Sequence, residues 1–211
     1  MLPPSPKSSV FVENAHRTAF YHSQVDERQS QLRALSAELF AGNKACVLEI
    51  GCGHGHFLNK YASTYNEKFC LGLDIISDRI DRARRKQQRG CLNNLHFLHA
   101  NAEEFLVAAP AGLRFLDVYV LFPDPWPKRR HHKNRLLQPD FLSRLQPMMA
   151  QGSRLFFRTD DKEYYASSEE ILNEHPGWAL GAGTWPFECE TVFQQRADTY
   201  FSLVAHPKNA S

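Results

Sequence analysis

The sequence predicts an α/β fold: a mostly parallel sheet with helices on both faces and an antiparallel C-terminal hairpin strand. Three observations predict it. From Ala45 onward, short β-branched or aromatic runs alternate with stretches of helical periodicity, the pattern of parallel strands joined by crossover helices. The first of these runs leads directly into Gly51, Gly53 and Gly55, a turn at which backbone can approach a ligand closely. The tail from Trp178 to His206 has no comparable helix and reads as two antiparallel strands joined by a long loop.

Each element has its own signal. Residues 10 to 41 form one or two helical segments, with Leu32, Leu35, Leu39 and Phe40 packing beside the sheet as a lid or flank. The first strand is Cys46 to Ile50, and a helix follows the glycine turn from about His56 to Tyr65. A second strand, Phe69 to Asp74, leads through Ser77 as N-cap into a helix from Asp78 to Arg89, stopped by Gly90. Leu95 to His99 makes a third strand and Leu116 to Phe122 a fourth. Pro139 starts a helix to about Met149, Ser153 to Arg158 is a fifth strand, and Lys162 to Glu174 a further helix. The hairpin strands are about Trp178 to Gly181 and Tyr200 to Ala205. Residues 1–44 are then an N-terminal extension with flanking helices, and residues 45–211 one domain.

Composition narrows the classes. A chain of 211 residues fits one domain, which buries roughly 70% of its unfolded surface without staples. With 43% hydrophobic and 23% charged residues it is neither disordered nor collagen-like. No apolar run approaches a membrane span, and residues 1–10 lack the apolar core and cleavage pattern of a signal peptide, so a cytoplasmic protein without a membrane partner is expected. The five cysteines are odd in number and never in CxxC spacing, which reads as reduced, mostly buried thiols. His54 with His56 and His131 with His132 lack the i, i+4 spacing of a helical zinc site, and no metal is expected. A net charge of +2 is too small for general nucleic-acid binding, so any attraction for phosphate must come from local clustering. A monomer and a homodimer are both compatible with the sequence.

The densest cluster is Phe122 to Arg135, F-P-D-P-W-P-K-R-R-H-H-K-N-R. Pro123, Pro125 and Pro127 fix their own φ and restrict the residue before them, so Phe122, Asp124 and Trp126 are expected to be extended. A carboxylate and an indole are thereby presented on stiff backbone, directly ahead of Lys128, Arg129, Arg130, Lys133 and Arg135. That density of cations suits phosphate oxygens, and Lys128, Arg130 and Arg135 are the candidates to hold them. Trp126 fits either stacking on a base or burial in the core. Arg79, Arg82, Arg85, Lys86 and Arg89 form a second basic face at helical spacing, although such faces are ordinarily just solvated.

The glycine turn carries the cofactor reading. A dinucleotide fingerprint wants glycine where His56 stands, which disfavours an NAD-dependent oxidoreductase. Gly-x-Gly-x-Gly after an acidic strand end instead resembles the S-adenosylmethionine motif, with Gly51, Gly53 and Gly55 as backbone contacts and Glu49 near the methionine ammonium. Asp74 closes the second strand where a carboxylate can accept ribose hydroxyls. Asn101, at the end of the third strand, stands where such folds place a side chain against the adenine amine; a helix or turn cap is the other reading of both residues.

With Glu49 to Gly55, Asp74, the F-P-D-P-W-P-K-R-R-H run, Thr159-Asp160 and Thr191-x-Phe193 in order, the chain resembles the bacterial tRNA (guanine-N7)-methyltransferase family over residues 45–206. The resemblance implies a class I, Rossmann-like methyltransferase domain. It implies transfer of the S-adenosylmethionine methyl group to N7 of a guanosine in the tRNA variable loop, guanosine-46 in the family. Carried over by position, cofactor contacts fall at Glu49, Asp74, Asn101 and Asp124, and tRNA or guanine contacts at Lys128, Asp160 and the stretch Thr191 to Gln194. Three positions depart from the family pattern: Asn101 for an aspartate, Asn134 for an arginine and Gln194 for a glutamate. Guanine N7 carries a lone pair and no proton, so no general base is needed. Asp124 is the candidate to stabilise positive charge appearing on the purine, and Asp160 to accept from the guanine amide edge. Two other readings compete: D-P-x-W partly echoes the motif of exocyclic-amine methyltransferases, and a catalytically weakened fold binding RNA is compatible with Asn134 and Gln194.

Overall fold

The computed structural model describes residues 25–182, 184–189 and 199–208. Helix α1 covers residues 25–39. There follow β1 (Ala45–Ile50), α2 (His56–Thr64), β2 (Cys70–Asp74), α3 (Ser77–Arg89), β3 (Leu95–His99), α4 (Ala102–Ala108) and β4 (Arg114–Leu121). After a 3-10 helix (Arg129–Asn134) come α5 (Pro139–Leu145), β5 (Met149–Thr159), α6 (Lys162–Glu174), β6 (Trp178–Leu180) and β7 (Phe201–Pro207).

The seven strands make one sheet in the order β3-β2-β1-β4-β5-β7-β6. Strands β1 to β5 pair in parallel. β7 runs antiparallel to both β5 and β6, which is the hairpin read in the tail. The chain order reverses direction across the sheet between β1 and β4, and in open α/β sheets ligands bind at the strand C-termini beside such a switch point. Among the described residues, Glu49, Gly51, Asp74, Asn101, Asp124 and Asp160 all lie at or just beyond those strand ends.

Burial on both faces explains why the central strands read as near-continuous apolar runs. One face packs Leu48, Ile50, Val118 and Phe157 against Phe105 of α4, Phe141 and Leu142 of α5 and Tyr164 of α6. The other packs Val47, Tyr119 and Phe156 against Phe57, Leu58 and Tyr61 of α2 and Ile80 and Ala83 of α3. Of the five cysteines, Cys46, Cys52, Cys70 and Cys189 are buried and Cys91 is exposed. Among the described residues no helix is long and apolar enough to cross a membrane.

Four expectations need correction, and one helix has no counterpart in the sequence pattern. Leu35 is 52% exposed; the buried stripe of α1 is Leu32 and Ser36, continued by Phe40 just past the helix end, with the Ser36 hydroxyl donating to Leu32 O at 2.6 Å. Ser77 is the first residue of α3 rather than its cap: the cap is Ile76, with no side-chain bond, because the Asp74 carboxylate takes the Ile76 N–H. Helix α4, with seven residues, is too short to show a period in the sequence. Helix α5 gives way to a 3-10 turn over Gln146–Met148, where Pro147 removes an N–H from the ladder. Phe122 and Trp126 are not extended; both have φ of +50°.

Candidate active site

The glycine loop hangs from β2. Gly51 and Cys52 N–H both donate to Leu73 O, at 2.8 and 2.9 Å, which turns the chain sharply out of β1. Gly51, Gly53 and Gly55 then take φ of +73°, +54° and +69°, accessible to glycine without a Cβ clash. They are required for different reasons. A Cβ on Gly51 or Gly53 would meet nothing within 4 Å, so there the backbone itself is left bare towards the strand ends. A Cβ on Gly55 would sit 2.6 Å from the Phe97 ring and 2.9 Å from Ala83, so this glycine seats the loop against β3 and α3.

Two buried acids lie under the loop. Asp74 accepts the Gly53 N–H at Oδ2 and the Ile76 N–H at Oδ1, both at 2.9 Å, and Arg79 approaches Oδ2 at 3.8 Å. Glu49, one strand over, is buried; burial first and the Asp74 charge second push its carboxyl up to about 8, against the lowering effect of the Leu58 N–H. Its Oε2 has no hydrogen-bond partner. A buried acid beside a second acid keeps its proton until a cation is brought to it, because an unpaired buried carboxylate would cost on the order of several kcal/mol. The donor set therefore fits a ligand with a positive amine at Glu49 and hydroxyls at Asp74, the two ends of S-adenosylmethionine.

Asn101 is brought to the same edge, since Ala100 N–H donates to Asp74 O at 3.1 Å. Its side chain, however, caps α4, with Oδ1 accepting from Glu103 N–H at 2.8 Å and Glu104 N–H at 3.3 Å. The oxygen needed to accept from an adenine amine is thus occupied, and what remains is the amide donor. The cap reading is the observed one.

The proline elbow leaves β4 beside β5, with Phe122 N–H donating to Arg158 O at 2.7 Å. Asp124 is exposed, and its Oδ1 accepts Trp126 N–H at 3.2 Å, an Asx turn that draws the chain back over two residues. The next proline disfavours the right-handed helical region at Phe122 and Trp126, and at Trp126 the Asx turn draws the backbone into the left-handed region instead of the extended one. Bulky residues at such φ store about 1–3 kcal/mol each, which persists only where surroundings enforce it. Arg135 does the enforcing. It is 3% exposed and donates from Nε to Pro125 O at 2.8 Å and from Nη1 to Ser167 Oγ at 3.0 Å. Its guanidinium also lies 4.8 Å over the Tyr164 ring and 3.9 Å from Asp161. The expectation that Arg135 holds phosphate is therefore corrected: this arginine is an internal anchor of the elbow. Lys128, Arg129, Arg130 and Lys133 are exposed, and Trp126 is half-buried, edge-on to His131 at 5.9 Å.

Asp160 is exposed just beyond β5, between buried Thr159 and Asp161, which caps α6 by accepting Tyr164 N–H at 2.6 Å. Because Leu121 pairs with Arg158, Asp124 and Asp160 leave neighbouring strand ends. Thr191 and Gln194 lie outside the described residues. One contributor was missed. Arg158, 5% exposed, donates twice to Glu188, both bonds 3.0 Å, and once to Ser202 Oγ at 3.0 Å. Its guanidinium is 3.9 Å from the Trp185 ring and 4.6 Å from the Tyr200 ring. This clamp fastens both described sides of the tail loop to β5. The signal available was a strand-end arginine with a tryptophan and a tyrosine flanking the Thr191–Phe193 motif.

Comparison with known proteins agrees with this geometry. The sequence profile of the family described as "Putative methyltransferase" matches residues 43–191. The chain is 35% identical over 138 residues to a tRNA (guanine-N(7)-)-methyltransferase of Thermosynechococcus vestitus, covering 65% of each chain. It is 32% identical to the same-named protein of Nitrosococcus oceani, over 67% of this chain and 60% of that one. That of Alkalilimnicola ehrlichii is 30% identical, over 76% of this chain and 73% of the relative. The chain thus spans less than two thirds of the length of the first two relatives. Among solved structures, TrmN from Thermus thermophilus superposes with a TM-score of 0.57 at 19% identity, covering 83% of this chain and 48% of that one. The ribosomal protein L11 methylase from Lactobacillus delbrueckii subsp. bulgaricus gives 0.55 at 16%, covering 86% and 80%. The fold is that of the class I methyltransferases, and the chain belongs to the tRNA (guanine-N7)-methyltransferase family.

Proposed function

We propose that this protein transfers the methyl group of S-adenosylmethionine to N7 of a guanosine in the variable loop of tRNA, in the cytoplasm. The observation that carries the reading is the buried Glu49 carboxyl, with Oε2 left without a hydrogen-bond partner, beneath a bare glycine backbone and one strand from the exposed Asp124. The names of the relatives supply the nucleophile.

S-adenosylmethionine, when bound, supplies an electrophilic methyl on a sulfonium. Glu49 holds the ammonium, Asp74 keeps its remaining lone pairs for the ribose, Gly51 and Gly53 present backbone, and the Asn101 amide donates to an adenine ring nitrogen. Guanine N7 needs no base, so the protein's task is in-line positioning, which supplies on the order of 7 kcal/mol or more of the barrier. Positive charge grows on the purine as the bond forms, and the Asp124 carboxylate, fixed by its Asx turn, stabilises it. Asp160 accepts from the guanine amide edge, with Thr191 and Gln194 completing recognition. Lys128 and Arg130 hold phosphates and set register without reading sequence.

The test is incubation of the full chain with S-adenosylmethionine and unfractionated tRNA, read as borohydride- and aniline-sensitive scission and by nucleoside mass spectrometry. Scission at a variable-loop guanosine is the expected result. Its absence with donor binding confirmed overturns the reading in favour of RNA binding alone, and a methylated exocyclic amine overturns it in favour of a different nucleophile.

A further inference from the structure

The basic face of α3 is not a plain solvated helix surface. Arg82, Arg85, Lys86 and Arg89 recur at i, i+3, i+4 and i+7, which sets them in one stripe about 10 Å long. With His54 and His56 from the glycine loop and the start of α2 they line a cleft of about 350 Å³. Lys86 joins the two elements: its Nζ donates to His54 O at 2.9 Å and lies 2.7 Å from His56 Nε2. Counter-charge is scarce. Asp78 pairs with Arg82 at 3.0 Å and Asp81 with Arg84 at 4.0 Å. Among the described residues no carboxylate lies within 4.0 Å of Arg85, Lys86 or Arg89.

The charges feel one another. His54 is lowered by burial first, then by Lys86, Arg82 and Arg79, with Asp78 opposing. His56 is lowered by burial, then by Lys86, His54 and Lys60, and Lys86 itself by burial. Like charges crowded into a concavity where only Arg82 has a nearby carboxylate, that of Asp78, destabilise the fold, and an anion relieves them. Three arginines favour forked contacts to phosphate oxygens.

We propose that this cleft is a second docking surface for the phosphate backbone of tRNA, used by a part of the molecule away from the methylated loop. It rests on the tRNA reading above. The placement supports it, because α3 follows β2 and the proline elbow follows β4, so the two cationic surfaces flank the glycine loop from opposite sides. One short stem-loop reaches the elbow; a folded tRNA reaches both.

The test compares the wild-type chain with an Arg85→Glu/Arg89→Glu double variant on two RNAs, whole tRNA and a stem-loop carrying only the acceptor guanosine. Arg85→Gln/Arg89→Gln repeats the contrast with half the charge change, and donor binding reports folding. The expected result is a KM for tRNA raised about tenfold or more, a salt slope of log K shallower by about 1–2, and kcat and the stem-loop KM unchanged. Unchanged KM and slope on tRNA overturn the proposal, as does an equal rise on both RNAs. If wild-type protein binds tRNA without methylating it and the variant loses that binding, the surface stands while the methylation reading falls. A wild-type chain that binds no tRNA overturns both.

Discussion

The glycine loop and the proline elbow lie at the ends of adjacent strands, β1 and β4, and differ in what holds them. The loop rests on buried acids: Asp74 is tied to two backbone N–H groups, and Glu49 is sealed under it with one oxygen open. The elbow carries its acid in solvent, held by two left-handed residues and one buried arginine behind them. A buried acid that gives up its proton only to a cation selects a charge that the ligand already has in the ground state. Exposed charge on stiff backbone suits a charge that develops only as bonds change, or a polyanion too large to enclose. Under the proposed function, the first region would bind the methyl donor and the second would carry transition-state and RNA interactions.

The sharpest way to break that assignment is Asp124→Asn, which keeps the acceptor for Trp126 N–H and removes the charge. Single-turnover methylation is expected to slow by about 10²–10³-fold, with donor affinity changed far less. A rate within about threefold of wild type would take the carboxylate out of the chemistry. Glu49→Gln tests the other region, and donor binding is expected to weaken about ten- to hundredfold, the value of a hydrogen bond to a charged group.

The Glu49 titration adds a signed pH dependence. Its carboxyl is raised from 4.5 to about 8, so between those values the folded chain holds a proton that the unfolded chain has released. Stability of the ligand-free protein is expected to fall as pH rises through this window. Donor binding is expected to expel the proton and tighten as pH approaches 8. Calorimetry in buffers of different ionisation enthalpy measures the release, and Glu49→Gln should abolish it.

Two smaller effects separate anchoring from docking within the elbow. Arg135→Ala is expected to lower Tm by roughly 5–10 °C, since a charged bond to the Pro125 carbonyl is lost in the interior, while the salt slope of tRNA binding stays put. Lys128→Ala should do the reverse: no shift in melting, severalfold weaker tRNA binding, and a slope reduced by about 0.7–0.9. An altered slope for Arg135→Ala would return that residue to the RNA interface.

How far the sequence could be read follows the same division. Strands and long helices were legible because both faces of the sheet are buried, and because alternation with helices admits few topologies. Glu49, Gly51, Gly53 and Asp74 are legible as neighbours because they sit within three residues of strand ends, where the parallel sheet brings them together. Arg135 was misread because a basic run looks alike whether its last member points out or in; only Tyr164 and Ser167, about 30 residues away, turn it inward. Asn101 had two valid readings, and Glu104 three residues on, a capping-box spacing, was the cue for the one observed. The left-handed Phe122 and Trp126 escaped because the proline rule constrains a residue without choosing which allowed basin it takes.

The distribution of thiols has a practical consequence. Cys46, Cys52, Cys70 and Cys189 are buried, and burial pushes each thiol up, Cys70 to about 12. Cys91 alone of the five is exposed, two residues past Arg89 at the foot of α3. A maleimide fluorophore applied to the native chain should therefore attach at one place without any cysteine being engineered away. The unaltered protein comes with a built-in reporter position beside the basic stripe of α3, and a dye there would report in real time whether RNA docks as proposed.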